Sequence, residues 1–243
     1  MTTLFISDLH LEESRRDITD AFLAFLQSKA REAEALYILG DFFESWIGDD
    51  EHTPLQVEVL GALKSYTDAG HQLFFMHGNR DFLIGEGFAA ETGATLLHDP
   101  CVIDLYGDRV ILLHGDSLCT RDIGYMNFRK NMRNPEWQRL FLIRPLQDRR
   151  TTAQQLRAIS MAKNKGKKEE IMDVTPEEVI KAMEDQQVTK MIHGHTHRPA
   201  RHLVTLANGA TAERIVLGDW DHSIWYLEAQ QNGDWQLHSK ALA

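Results

Sequence analysis

Cysteine is scarce in this chain of 243 residues: only Cys101 and Cys119 occur, too few for a disulfide framework and not at a metal-binding spacing. A reducing compartment fits that scarcity. Long apolar runs are missing as well. None approaches the roughly 20 residues needed to span a bilayer, and the longest stretch near the middle, Leu140 to Leu146, is broken by Arg144 and Pro145. No basic leader precedes Thr2-Thr3-Leu4-Phe5-Ile6, so no secretory signal is expected. No internal repeat or low-complexity tract is present, which sets repeat architectures aside. What remains is ordinary for a soluble globular protein, with 43% hydrophobic and 26% charged residues. The length suits one domain over residues 1–243, with an insertion.

The net charge of −10 conceals an asymmetry. Between Arg121 and Lys168 stand thirteen Lys/Arg against three acids, Asp122, Glu136 and Asp148. That is half of the 26 basic residues in a fifth of the chain. An acidic body with a basic insert points to an anionic partner for the insert.

Short apolar runs alternate with helical patterns, the mark of an α/β layer architecture. Strands are predicted at Leu4–Ile6, Leu36–Leu39, Leu73–Met76 and Lys190–Ile192, with a hairpin of Val102–Leu105 and Val110–Leu113. Further strands are expected at Leu203–Leu206, Arg214–Leu217, Ser223–Leu227 and Trp235–His238. Phe22, Leu23, Phe25, Leu26 and Ala30 recur at helical spacing. Thr53-Pro54 opens a helix toward Tyr66, and Thr175-Pro176-Glu177-Glu178 reads as a capping box. From about residue 122 to residue 164 the pattern is wholly helical, and the basic insert is set at about residues 122–168.

Chemistry gathers where strands end. Asp8-Leu9-His10, Gly40-Asp41, Gly78-Asn79-Arg80-Asp81, His114-Gly115-Asp116 and His193-Gly194-His195-Thr196-His197 each follow an apolar run. Ligands at the carboxyl ends of strands sit where open α/β sheets bind their substrates. Asp8 and His10, like His195 and His197, are two apart and so point the same way from an extended chain end. Any one motif is weak, and a lone histidine is more often a satisfied surface group. Five in order describe a metal site with about seven nitrogen and oxygen ligands, able to hold two divalent ions that grip a phosphoryl group and activate water. Without thiolate, manganese, iron and zinc all suit such a set. Asp81 reads as an orienting group, and Asp116 and His193 as structural.

The series Asp-x-His, Gly-Asp, Gly-Asn-x-Asp, His and Gly-His-x-His resembles the calcineurin-like metallophosphoesterases, a four-layer αββα sandwich with a dinuclear centre. The resemblance implies Asp8, His10, Asp41 and His197 on one ion and Asp41, Asn79, His114 and His195 on the other, with Asp41 shared. One departure matters: the general pattern has histidine after Gly-Asn, where Arg80 stands here. Arginine clamps phosphate but does not donate a proton near neutral pH. A leaving phosphate needs little protonation, as when a pyrophosphate is cleaved.

Gly-Asn-Arg-Asp-Phe, Asp-Leu-His-Leu, Tyr-Ile-Leu-Gly-Asp and His-Gly-His-Thr-His-Arg-Pro together resemble the lipid A pathway diphosphatases that cleave UDP-2,3-diacylglucosamine in Gram-negative bacteria. That likeness spans nearly the whole chain. It implies manganese, attack by metal-activated water at the α-phosphorus, and the products UMP and 2,3-diacylglucosamine 1-phosphate. It also implies a helical lid in which Arg157, Ser160, Asn164 and Lys167 meet the substrate. Asp122 would contact the glucosamine, Asn79, Arg80 and His195 the phosphates, and Asp41, Asn79, Arg80 and His195 would carry catalysis. The implied location is the cytoplasmic face of the inner membrane, held peripherally, with no protein partner. Trp137, Leu140, Phe141, Leu142, Ile143 and Leu146 form an apolar cluster beside the basic residues, suited equally to internal packing and to lipid. A broad phosphodiesterase, a binding module that has lost catalysis and a nucleic-acid enzyme are the rivals. Arg80 and the lid pattern oppose the first, the full ligand set opposes the second, and the acidic body opposes the third.

Overall fold

The computed structural model describes residues 1–164 and 171–242, the side chains of residues 161, 163 and 164 excepted. Two sheets stack face to face. The first has six strands in the order β11-β10-β1-β2-β3-β4, the second five in the order β5-β6-β7-β9-β8. The strands of the first are β1 (Thr2–Ile6), β2 (Ala35–Leu39), β3 (Gln72–Met76), β4 (Thr95–Leu97), β10 (Ser223–Gln230) and β11 (Trp235–Ala241). Those of the second are β5 (Cys101–Leu105), β6 (Asp108–Leu112), β7 (Lys190–His193), β8 (Ala200–Thr205) and β9 (Thr211–Val216).

The period-2 alternation of strand side chains sorts them into three cores. Leu4 and Ile6 of β1, with Leu36 and Ile38 of β2, face outward into a cluster with Phe22, Phe25 and Leu63. Those last three lie on α1 (Arg16–Gln27) and α2 (Pro54–Asp68). Phe5, Tyr37 and Leu39 face inward against Val110, Leu112, Ile192 and Ile215 of the second sheet. Ile111, Leu113 and Met191 face the far side and meet Val179 and Met183 of α7 (Pro176–Asp185). Helices, sheet, sheet and helix therefore form four layers, as the family resemblance implies.

Strands β1, β2 and β3 run parallel, and so do β6, β7 and β9. Their carboxyl ends share one edge of the sandwich, where the sequence places its ligands. Two elements escaped the sequence reading because they are short: α3 (Glu86–Thr92) and β4. The hairpin turn is tight, with Tyr106 and Gly107 both at positive φ, 58° and 93°. Thr53 and Gln56 form a reciprocal capping box on α2. Thr175 does not form the one expected on α7: its hydroxyl accepts from Thr120 Oγ1 at 2.8 Å instead. Among the described residues between β6 and α7 lie three α-helices and no strand: α4 (Ile123–Met132), α5 (Pro135–Leu142) and α6 (Leu146–Asn164).

Candidate metal centre

Asp8, His10 and His197 form one group of ligand atoms, and Asp41, His114 and His195 a second, the atoms of each lying within 4.8 Å of one another. Asp41 faces both. Its Oδ2 is 3.9 Å from His10 Nε2, and its Oδ1 is 3.6 Å from His114 Nε2. Asn79 Oδ1 lies 3.0 Å from His114 Nε2. All seven residues named from the sequence thus converge, with Arg80 beside them. Five of them, Asp8, His10, Asp41, His195 and His197, hold positive φ between 49° and 67°. Such conformations cost of order 1–3 kcal/mol for residues with a side chain and concentrate at functional sites. Here each follows a strand end that must turn sharply to bring its side chain over the edge.

The donor set fits divalent cations on this chain's own chemistry. His10 Nδ1 lies 2.7 Å from Glu44 Oε2 and His114 Nδ1 2.9 Å from the Leu39 carbonyl, both acceptors, so in the neutral ring each Nδ1 carries the proton and each Nε2 is left to bind a cation. Atoms able to bind a cation then face each other: His114 Nε2 lies 3.0 Å from Asn79 Oδ1, and His10 Nε2 3.3 Å from His197 Nε2. Asp8 Oδ1 is buried without a hydrogen bond, while Oδ2 accepts from Ser7 Oγ at 2.6 Å and His195 N at 2.8 Å. Acidic and imidazole groups gathered this closely, with Asp8, Asp41 and His114 buried, favour cations between them. The surrounding carboxylates also draw positive charge onto two of these rings. Burial pushes the His114 ring down, yet Asp41, Asp8 and Asp116 hold it up at about 9. Burial likewise opposes charge on His197, and the Asp8 carboxylate, 3.5 Å from its Nε2, raises it to about 9. Burial and then His114 push His195 down to about 4.

Supporting contacts explain how the ligands are held. Asp81 orients neither a histidine nor Arg80; it straps the loops together, accepting from Phe42 N and Gly78 N at 2.8 Å. Burial, then Asp41, pushes its carboxyl up to about 6. Asp116 accepts from Tyr125 Oη at 2.6 Å and Arg129 Nε at 2.8 Å, joining α4 to the centre. His193 is fully buried, with Nδ1 near the Gly194 carbonyl and Nε2 3.4 Å from Arg214. Two acids went unnoticed in the sequence. Glu44 holds His10, and Asp219 lies 3.6 Å from His197 Nδ1. Gly218-Asp219 follows β9 as Gly40-Asp41 follows β2, a signal the reading passed over.

The helical segment lies against this centre. Asp122 caps α4, accepting from Tyr125 N at 3.0 Å. Arg157 reaches Glu44, and Ser160 lies three residues further along α6. The Asn164 side chain and Lys167 fall outside the described residues. Part of the basic charge is matched by the body: Arg149 pairs with Asp50 and Arg150 with Glu51 at 2.8 Å. The apolar cluster divides. Phe141 is buried and stacks on Trp137, which packs with Leu146 on the core. Leu140, Leu142 and Ile143 stay exposed, Ile143 at 68%.

Comparison with known proteins agrees. Residues 1–199 match the family model for calcineurin-like phosphoesterases. A relative from Marinobacter nauticus named UDP-2,3-diacylglucosamine hydrolase is 63% identical, over all of this chain and 99% of the relative. A Cellvibrio japonicus protein of the same name is 56% identical, over 96% of this chain and 97% of its own. An archaeal phosphodiesterase structure superposes with a TM-score of 0.52 over 99% of this chain at 12% identity, a likeness of fold. The chain belongs to the calcineurin-like phosphoesterases.

Proposed function

We propose that this enzyme hydrolyses the pyrophosphate of UDP-2,3-diacylglucosamine, giving 2,3-diacylglucosamine 1-phosphate and UMP. The observation that carries the reading is Asp41 facing two ligand groups, with Arg80 and a helical lid beside it. The substrate is the one named for the full-length relatives. Asp8, His10, Asp41 and His197 would hold one ion and Asp41, Asn79, His114 and His195 the other, with manganese suited to these nitrogen and oxygen donors. When bound, two such ions grip phosphoryl oxygens and lower the pKa of a water to make the nucleophile.

The chain's own residues do the rest. Arg80, whose Nε is buried without a hydrogen-bond partner among the described residues, supplies a fixed fork of donors for the diphosphate. Asn79 and His195 flank the same phosphates. Attack at the α-phosphorus forms one P–O bond and breaks the bridging one, and the sugar 1-phosphate leaves as an anion that needs no histidine acid. Helices α4–α6 act as the lid of a single domain, with Asp122, Arg157, Ser160, Asn164 and Lys167 meeting the sugar and its phosphate. Leu140, Leu142 and Ile143 offer apolar surface to acyl chains or to the cytoplasmic face of the inner membrane. No helix among the described residues is long and apolar enough to cross that membrane.

Hydrolysis in ¹⁸O-water with manganese tests the reading. UMP carrying the label supports it. Label in the sugar 1-phosphate overturns attack at the α-phosphorus, and absence of both products from metal-loaded protein overturns the substrate.

A further inference from the structure

Glu44 is the acid that joins the metal centre to the lid. It stands three residues after Asp41, is only 9% exposed, and its backbone is pinned by Glu44 N donating to the Leu11 carbonyl at 3.1 Å. Leu11 and Phe43 form an isolated bridge beside it, so this loop lies against the one that carries His10. Its two oxygens face different partners. Oε2 accepts a hydrogen bond from His10 Nδ1 at 2.7 Å, which turns Nε2 toward Asp41 and His197. Oε1 pairs with Arg157 of α6 and lies 4.0 Å from Arg80 Nη1.

The lid's other arginines have different anchors. Arg149 donates to the Ile47 carbonyl at 2.7 Å and to Asp50, and Arg150 to Glu51. Those contacts fasten the start of α6 to the loop after β2. Arg157 comes about two turns later and turns inward to the carboxylate that also fixes a metal ligand. A carboxylate between two guanidinium groups also offsets their mutual repulsion. A diphosphate is a stronger, multidentate partner for both arginines than one carboxylate oxygen.

We propose that Glu44 is a positioning residue with two linked tasks. It sets the tautomer and orientation of His10, and it holds Arg157, and with it α6, over the centre until an anionic substrate takes that arginine over. The second task rests on the substrate reading above; the first does not.

Four manganese-loaded proteins test this: Glu44→Ala, Glu44→Gln, Arg157→Met and the Glu44→Gln/Arg157→Met pair, each against wild type. Removal of a carboxylate behind a metal-bound histidine typically costs 10–100-fold in metal affinity, and that loss is expected for Glu44→Ala. Glu44→Gln, whose amide oxygen still accepts from His10, should lose less. Amide hydrogen exchange along α6, read without substrate, should quicken in Glu44→Gln and Arg157→Met alike. Glu44→Gln should raise KM for the diphosphate roughly tenfold in wild type and less than twofold in Arg157→Met, the non-additivity that contacting residues show. Equal KM effects in both backgrounds overturn the lid task. Unchanged manganese affinity in Glu44→Ala overturns the histidine task. Metal affinity and exchange need no substrate, so a wrong lipid assignment would show instead as wild-type protein releasing no UMP.

Discussion

Gly78 and Gly61 should respond in opposite ways to the same added methyl group. A Cβ on Gly78 would lie 2.8 Å from Asp41 Cγ and closer still to Asp41 N and Oδ1, distances at which something must move. The movable part is not a flexible side-chain end but the backbone and carboxylate of the residue that faces both ligand groups. Gly78 itself cannot retreat easily, because its N–H donates to Asp81 at 2.8 Å and its carbonyl accepts from Arg133 at 2.9 Å. Overpacking of this kind costs about 1–3 kcal/mol, and a displacement of about 1 Å in a catalytic group can cost about 10²-fold in rate. Gly78→Ala is therefore expected to lose about a hundredfold in kcat/KM with both ions supplied, and to melt lower. Gly61, inside α2, has nothing within 4 Å of its Cβ position. Gly61→Ala should gain about 0.5–1 kcal/mol from helix propensity, raising Tm by a few degrees at this chain length, with kcat/KM unchanged. Steady-state hydrolysis and thermal melts of both variants check this. Gly78→Ala with wild-type activity and Tm would refute the close packing of Asp41 against the third strand end.

Four further outcomes follow from the charges and the ligand groups. Among the described residues the Asp99 carboxylate has no hydrogen bond, only Arg129 Nη2 at 3.6 Å, and burial, then Asp116, pushes it up to about 6 from 3.8. A raised carboxyl pKa means stability is lost as pH rises from about 4 to 6, because the unfolded chain gives up that proton first. Asp99→Asn should therefore raise stability above pH 6, by an amount on the order of 3 kcal/mol at most, and change little near pH 4. Melts at pH 4.5 and pH 8 with equal shifts would contradict it. Arg129→Met strips buried Asp116 of its cation and should cost about 3–5 kcal/mol in denaturant unfolding. Arg139→Met removes an exposed pair with Glu136 and should stay within about 1 kcal/mol. Chelator treatment should abolish hydrolysis and lower Tm, since ions bound only by the folded state stabilise it. An unchanged Tm would count against folded-state metal binding.

The legible parts of this molecule were those written in local pattern. Apolar runs ending in Asp-x-His, Gly-Asp or Gly-His-x-His announced strands with ligands at their ends, and the parallel topology then gathers those ends on one edge. Local pattern failed where a role depends on a distant partner. Glu44 looks like any loop acid until the fold places it on His10, 34 residues away in the chain. Thr175 has the capping-box spacing, but the loop at Thr120 claims its hydroxyl. The charge of the helical segment was visible as a count, yet the count did not reveal that Arg149, Arg150 and Arg157 are matched by Asp50, Glu51 and Glu44. Composition likewise could not divide the apolar cluster into buried Phe141 and exposed Ile143, because helix register against the core decides which faces inward.

The most direct measurement is a manganese titration of chelator-stripped protein, reading bound ions per chain beside UMP released from UDP-2,3-diacylglucosamine. Two ions per chain are expected, with release of UMP rising only as the pair fills and with Asp41→Ala failing to recover either. UMP released at full rate by metal-free protein, or by Asp41→Ala, would contradict a centre in which one aspartate serves both ions.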